Sequence, residues 1–227
     1  MNHIRAFSTR TIRTVPLRVP LLVLGVALAT LPSSVTAQAA TAQAATAEDA
    51  KTVVVNTVAQ VLGILKEHQT PESERRSKLI AVVAPHFDFE NMAKSSLGYH
   101  WRELNAAQQG QFTQLFTAFM EDAYLSKLEG FSNQHIEFLG EHSIEPDDVE
   151  VNSRVVTPGQ TDNPVKVDYL LQRRESEWKV YDVMVDGISI TANYRNQFNR
   201  VVNNQGFDAL MNEMRSKQQE LVATLAK

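Results

Sequence analysis

The chain has 227 residues, of which 43% are hydrophobic and none is cysteine. This length and composition fit one globular domain and exclude disulfides, a cysteine nucleophile and thiolate metal ligands. The net charge of -4 is uneven: four arginines precede Glu48, the first acidic residue, and the other 18 Lys and Arg face 26 Asp and Glu. The chain after these arginines is acidic, so we expect no nucleic-acid partner. We also expect the protein to be a monomer.

The first 39 residues have the three-part layout of a secretory signal peptide. An acid-free segment with four arginines leads into the apolar run Pro20–Leu31, which small residues follow. This run is shorter than the roughly 20 residues that cross a bilayer, which favours a cleaved signal over the alternative, an uncleaved anchor. We therefore expect residues 1–39 to be a signal peptide that directs the chain to the periplasm.

The tract TAQAATAQAATA follows the apolar run and contains several small residues at cleavage spacing. It allows cleavage after Ala39, Ala44 or Ala47, and Ala39 lies closest to the apolar run. The predicted organisation is therefore a signal peptide over residues 1–39, a linker over 40–47 and one functional domain over 48–227.

Apolar residues at helical spacing predict four helices before Gly130. Thr70 and Pro71 form a start signal for the second helix, with a capping hydroxyl and a proline at the first helical position. Asp88 is expected to cap the third helix and Gly98 to close it. The four helices are expected at Glu48–His68, from Pro71 to near Pro85, from Asp88 to Leu97, and from Asn105 to Leu128.

After Gly130 the hydrophobic period changes from 3.6 to 2, which predicts antiparallel strands. A polar stretch, Thr157–Pro164, is expected to be a hairpin loop. The helical period returns from Ile188, stops at Gly206 and resumes after it. The predicted fold class is α+β, one domain with a four-stranded antiparallel sheet between helices. The strands are expected at His135–Leu139, Val149–Val156, Val165–Arg173 and Trp178–Val185.

The sequence contains no recognisable catalytic or metal-binding motif. The five histidines after the apolar run, His68, His86, His100, His135 and His142, form neither HxH nor HExxH, and no GxSxG, Walker loop or GxGxxG occurs. We therefore expect no metal, no cofactor and no enzymatic activity.

Two aspartates qualify this expectation, because Asp168 and Asp182 lie inside otherwise apolar strands. A charge in such a place is costly unless it is paired or hydrogen-bonded. Either aspartate is a candidate general base in an exported enzyme. The favoured alternative is a structural acceptor, with Asp182 receiving hydrogen bonds from Ser189 or Arg195.

Two long stretches of the chain resemble the MlaC/toluene-tolerance family, which comprises periplasmic phospholipid-binding components of the Mla ABC transport system. The string WKVYDVMVDGIS, followed by NYRNQF, is specific to this family rather than a loose pattern. The two stretches are PHFDFENMAKSSLGYHWRELNAAQQGQFTQLFTAFMEDAYLSKLEGF, from Pro85 to Phe131, and VKVDYLLQRRESEWKVYDVMVDGISITANYRNQFNRVVNNQGFDALMNEMRSK, from Val165 to Lys217.

The resemblance implies a fold like that of nuclear transport factor 2, with a curved sheet wrapped by helices around a deep cavity. It implies that this cavity holds the acyl chains of a phospholipid while the head group stays near solvent. It also implies lipid exchange with an outer-membrane lipoprotein complex and with an inner-membrane ABC transporter that carries an MCE-domain subunit, which maintains outer-membrane lipid asymmetry.

The apolar stripes of the fourth helix and the strands supply the expected cavity lining, although the sequence leaves open which face of the strands points inward. The helical candidates are Phe116, Phe119, Met120 and Tyr124. The strand candidates are Val151, Val155, Val167, Tyr169, Val180, Tyr181 and Val183.

Overall fold

A computed structural model of the chain describes residues 35–128 and 131–225. The predicted α+β class is confirmed, with a five-stranded antiparallel sheet in the order β1-β2-β3-β4-β5 between helices. The helices are α1 (Val35–Leu65), α2 (Glu72–Val83), α3 (Phe89–Leu97), α4 (Ala106–Leu128), α5 (Ile190–Gln205) and α6 (Phe207–Leu225). The strands are β1 (His135–Glu145), β2 (Asp148–Thr157), β3 (Gln160–Arg174), β4 (Glu177–Val185) and β5 (Ile188–Ser189).

The sheet has one strand more than the four predicted, and its central strands are longer. Strand β5 has only two residues, which pair with the end of β4, and so short a strand leaves no periodic signal. The expected loop Thr157–Pro164 is mostly strand, because the chain reverses at Pro158 and Gly159, where Gly159 takes a φ of 82°. A tight hairpin turn favours such a positive φ.

Helix α1 begins at Val35, earlier than the predicted start at Glu48. The residues expected to be a linker, 40–47, are helical, which agrees with alanine having the highest helix propensity. The predicted signal peptide lies outside the described residues from residue 1 to 34, and residues 35–39 form the start of α1.

The starts and ends of the middle helices follow local chemistry. Asp88 accepts a hydrogen bond from the Asn91 backbone N–H and caps α3, as predicted, and Gly98 closes α3 with a φ of 58°. The prediction for Thr70 was wrong: its hydroxyl contacts the Glu67 carboxylate, and Pro71 occupies the N-cap of α2 without a side-chain cap. A residue before proline is held in an extended conformation, so Thr70 lies outside the helix.

Buried apolar side chains form three clusters in the described part of the chain. The helical cluster joins α3, α4, α5 and α6. The sheet cluster joins the middle of α1 to β2, β3 and β4. A smaller cluster around Leu65 and Leu79 joins the end of α1 to α2. Phe87 packs against both the helical and the sheet cluster, so it links the two layers.

Candidate functional site

Strand register decides which residues share a face of the sheet. Val151 pairs with Tyr169, Tyr169 with Val183, and Leu171 with Val180. Directly opposed residues in antiparallel strands point to the same side. Six of the seven strand candidates therefore share one side, which we call the apolar face. It consists of Val149, Val151, Val155, Val165, Val167, Tyr169, Leu171, Val180, Val183 and Val185.

Tyr181 is the one strand candidate that the structure sets apart. The register of β3 and β4 shifts between Leu170 and Leu171, so Tyr181 is an extra residue in β4. Its hydroxyl lies 3.0 and 3.1 Å from the two carboxylate oxygens of Asp148. Burial and the nearby Asp148 charge raise the pKa of Tyr181 above its ordinary value. Tyr181 thus contacts a carboxylate, whereas the other six strand candidates lie on the apolar face.

The apolar face is covered at one end and partly open at the other. Ala50 and Val54 of α1 pack on the covered end, where Leu171 is 0% and Val180 is 3% exposed. At the end near the β2–β3 hairpin, Val165 remains 38% exposed and Val185 37%. Val167 and Val183, which lie between the two ends, are half-buried. A largely apolar surface therefore runs from beneath α1 towards solvent.

The four helical candidates lie together, but in a different cluster from the strand candidates. Phe116, Phe119 and Met120 are buried in the helical cluster, and Tyr124 packs against its edge. The Phe119 ring meets the Tyr194 ring edge-on, with centroids 5.6 Å apart. The structure therefore brings together α4 with α5 and α6, and separately brings together the residues of the apolar face.

A polar pair interrupts the apolar face. Ser153 is completely buried and donates a 2.7 Å hydrogen bond to the Val167 carbonyl. The Tyr169 hydroxyl is hydrogen-bonded to Ser153, and burial raises the pKa of Tyr169 to about 12. Sequence analysis missed Ser153, although its place in the alternation between Val151 and Val155 signals that it shares their face.

Asp182 is an acceptor for the start of α5. Its carboxylate accepts hydrogen bonds from the Ser189 hydroxyl and from the backbone N–H groups of Val183, at 2.9 Å, and Thr191, at 3.1 Å. The predicted contact with Ser189 is confirmed. The alternative donor, Arg195, instead donates to the Ser95 carbonyl at 2.6 Å and ties α5 to the end of α3.

Asp168 also has a structural partner. It lies on the side of the sheet opposite the apolar face, since it pairs with Asn152 across β2 and β3. Its carboxylate accepts a 3.0 Å hydrogen bond from the Asn152 amide, which also bonds Glu150 at 2.7 Å. Neither aspartate therefore presents a free carboxylate oxygen to the apolar face, which a general base at that face would require.

The described residues offer neither a metal site nor a large cleft between the helices. These residues contain no group of three or more His, Cys, Asp or Glu side chains arranged to hold a metal ion. A cleft of about 80 Å³ lies between α4, α5 and α6, lined by Phe119, Tyr194, Phe198, Leu210 and Met214 among others. Binding sites for drug-sized ligands span roughly 300 to 1,000 Å³, so this cleft is too small for a pair of acyl chains.

None of the helices in the described ranges is long and apolar enough to cross a membrane.

Comparison with known proteins identifies the family. Residues 55–216 match the model of the family described as MlaC protein. The chain belongs to the MlaC family. This confirms the resemblance seen in the sequence.

Two proteins that resemble this MlaC-family chain have informative descriptions. The intermembrane phospholipid transport system binding protein MlaC of Haemophilus influenzae is 26% identical over 135 residues, which are 58% of this chain and 63% of that protein. The toluene tolerance protein ttg2D of Pseudomonas putida is 27% identical over 161 residues, 69% of this chain and 74% of that protein. The chain thus spans slightly less than two thirds of the Haemophilus protein.

A solved structure shares the fold. It is that of a phospholipid-binding protein from Ralstonia solanacearum in complex with a phospholipid. The match has a TM-score of 0.69 and 25% sequence identity, and covers 77% of this chain and 99% of that chain. The architecture described above is therefore one that holds a phospholipid in a related protein.

Proposed function

We propose that this MlaC-family protein binds a diacyl phospholipid with its acyl chains against the apolar face. The observation that carries the proposal is the partly open end of that face, where valines remain about one third exposed in a fold shared with a phospholipid complex. Val155, Val167, Tyr169 and Val183 are proposed as the sheet wall, whereas the α4 candidates are buried against α5 and α6. Val151 and Val180 form the floor beneath α1.

The energetics of acyl-chain burial support a carrier that exchanges lipid by direct contact. Two chains of about 15 methylenes each, at ~0.8 kcal/mol per buried CH₂, gain roughly 24 kcal/mol over water. This exceeds the strongest affinities of about 18 to 21 kcal/mol, so free lipid in water is no practical intermediate. Transfer from one apolar medium into another has a small net free energy, which permits both loading and release.

We further propose that the protein works in the periplasm after removal of its signal peptide. There it would carry phospholipid as cargo between an outer-membrane lipoprotein complex and an inner-membrane ABC transporter with an MCE-domain subunit. Such traffic maintains outer-membrane lipid asymmetry and requires no catalysis. The hydrogen bonds that occupy Asp182 and Asp168 support this non-enzymatic role over a general-base mechanism.

The first test is mass spectrometry of an organic extract of the protein, purified from the periplasm of lipid-replete cells. We expect about one diacyl phospholipid per chain and an amino terminus created by cleavage within residues 39–47. Transfer of labelled phospholipid from donor to acceptor vesicles then measures carriage. An extract without phospholipid would refute the carrier function.

A further inference from the structure

Arg173 and Trp178 form a cross-strand pair at the end of the sheet next to the β3–β4 turn. The guanidinium carbon of Arg173 lies 4.7 Å from the centroid of the Trp178 rings, which is a cation–π contact. Both residues lie on the same side of the sheet as the apolar face, because Arg173 is two residues from Leu171 and four from Tyr169.

The pair presents two buried hydrogen-bond donors that have no acceptor. Trp178 is 4% exposed, and its Nε1–H meets no acceptor among the described residues. The Nη2 group of Arg173 is also buried and also has no hydrogen-bond acceptor among the described residues. Buried polar groups are nearly always hydrogen-bonded, and a charged donor loses most when it is not. Each of the two donors therefore lacks an acceptor that a ligand oxygen would supply.

The Nε edge of the Arg173 guanidinium lies beside an exposed carboxylate. Its Nε lies 3.5 Å from a carboxylate oxygen of Asp147, whose side chain is 68% exposed. The neighbouring Arg174 points to the other side of the sheet and pairs with Asp88 at 2.9 Å. The donor pair thus lies at a rim between solvent and the buried apolar residues, as an amphipathic ligand requires.

We propose that Arg173 and Trp178 bind a phosphate oxygen of the ligand. The guanidinium is a fork of N–H donors that matches phosphate, and the indole N–H adds a second, neutral donor. The proposal rests on the proposed function, since the apolar face that starts beside the pair is the acyl-chain wall. The phosphate would lie about 13 Å from Tyr169 along β3, at ~3.3 Å per residue.

Helix α1 covers the part of the apolar face next to this donor pair. Ala50 and Val54 cover Leu171, which lies between Arg173 and the half-buried part of the apolar face. A ligand that contacts both the Arg173–Trp178 pair and the half-buried part of the apolar face has to pass Leu171, where α1 packs. We therefore expect α1 to shift when the ligand binds.

The same chemistry fits a lipid head group and free inorganic phosphate, so the experiment has one arm for each source. In the first arm the full exported protein is incubated with vesicles of phosphatidylethanolamine and diacylglycerol in equal amounts and with matched acyl chains. The protein is re-isolated, and mass spectrometry measures the ratio of the two bound lipids. The variants are Arg173→Gln and Trp178→Phe, which keeps an aromatic ring, and Arg174→Gln is the control with the same charge change.

We expect the wild type to prefer the phospholipid roughly tenfold or more, because one hydrogen bond to a charged group has about this effect. Arg173→Gln and Trp178→Phe should reduce the preference several-fold while total lipid loading persists, and Arg174→Gln should retain it. Circular dichroism checks the fold of each variant. If Trp178→Phe unfolds, Arg173→Gln decides. A wild-type ratio in the folded variants would overturn the proposal.

In the second arm inorganic phosphate is titrated into the protein while Trp178 fluorescence is followed in a Trp101→Phe background. No response is expected at millimolar phosphate if the head group is the source. If Arg173→Gln abolishes a fluorescence response to phosphate but keeps the wild-type lipid ratio, the site binds free phosphate, and the head-group assignment is overturned. A wild type that takes up neither lipid refutes the proposed function instead, and the titration then still tests the donor pair.

Discussion

The substitution Val167→Glu tests whether the half-buried part of the apolar face contacts acyl chains. In the absence of lipid the introduced carboxylate can reach solvent, since Val167 is half-buried and its neighbour Val165 is 38% exposed. We therefore expect a loss of stability of only about 1 kcal/mol. Thermal unfolding followed by circular dichroism measures this change.

Lipid binding should respond far more strongly. Against acyl chains the carboxyl has to be neutral, and protonating a group of ordinary pKa about 4.3 at pH 7 costs about 3.7 kcal/mol. Lipid affinity should therefore fall by up to roughly 500-fold at pH 7 and recover as the pH approaches about 4.5. Vesicle transfer assays across this pH range measure the effect. The uncharged variant Val167→Gln should lose less affinity and show no such recovery.

Two further variants separate cavity contact from core damage. Val180 is 3% exposed beneath α1, so Val180→Glu should cost about 4 kcal/mol or more and unfold much of the protein. Gln172 pairs with Asp148 and Lys179 on the opposite side of the sheet, so Gln172→Glu should change neither fold nor lipid binding. Wild-type lipid transfer by a folded Val167→Glu protein at pH 7 would refute the assignment of this face.

Asp182→Asn should lower stability by about 1 to 2 kcal/mol and leave lipid transfer intact, because the asparagine oxygen still accepts from the α5 backbone; lost transfer in a stable, lipid-loaded variant contradicts this. Tyr169 keeps its proton to about pH 12 in the folded protein, so its contribution to stability is full below about pH 10 and is lost as the pH rises to 12. Tyr169→Phe should flatten the fall in Tm over this range, whereas the exposed Tyr99→Phe should not. Gly98→Ala should lower Tm by several degrees, since φ is 58° and the new Cβ lies 3.4 Å from Arg195.

Local patterns in the sequence were sufficient for most of the secondary structure and for the family. The change of period after Gly130 predicted the switch from helices to strands, because alternation is a property of the strand backbone itself. Asp88 and Gly98 predicted the ends of α3, because capping depends on neighbours within four residues. Even the Ser189 partner of Asp182 was predictable, since the two lie seven residues apart across one turn.

Register and layer packing required the tertiary structure. In β4 apolar residues occupy both odd and even positions, so the sequence does not show which of them share a face. The bulge in the structure shows that Tyr181 leaves the apolar face while Val180 and Val183 stay on it. Likewise, no local pattern indicates that α1 covers Leu171, or that Arg173 and Trp178 meet with unpaired donors. The α1 contact joins segments far apart in the chain, and its geometry depends on how whole elements pack. Arg173 and Trp178 are only five residues apart, but their contact depends on the register of the β3–β4 hairpin.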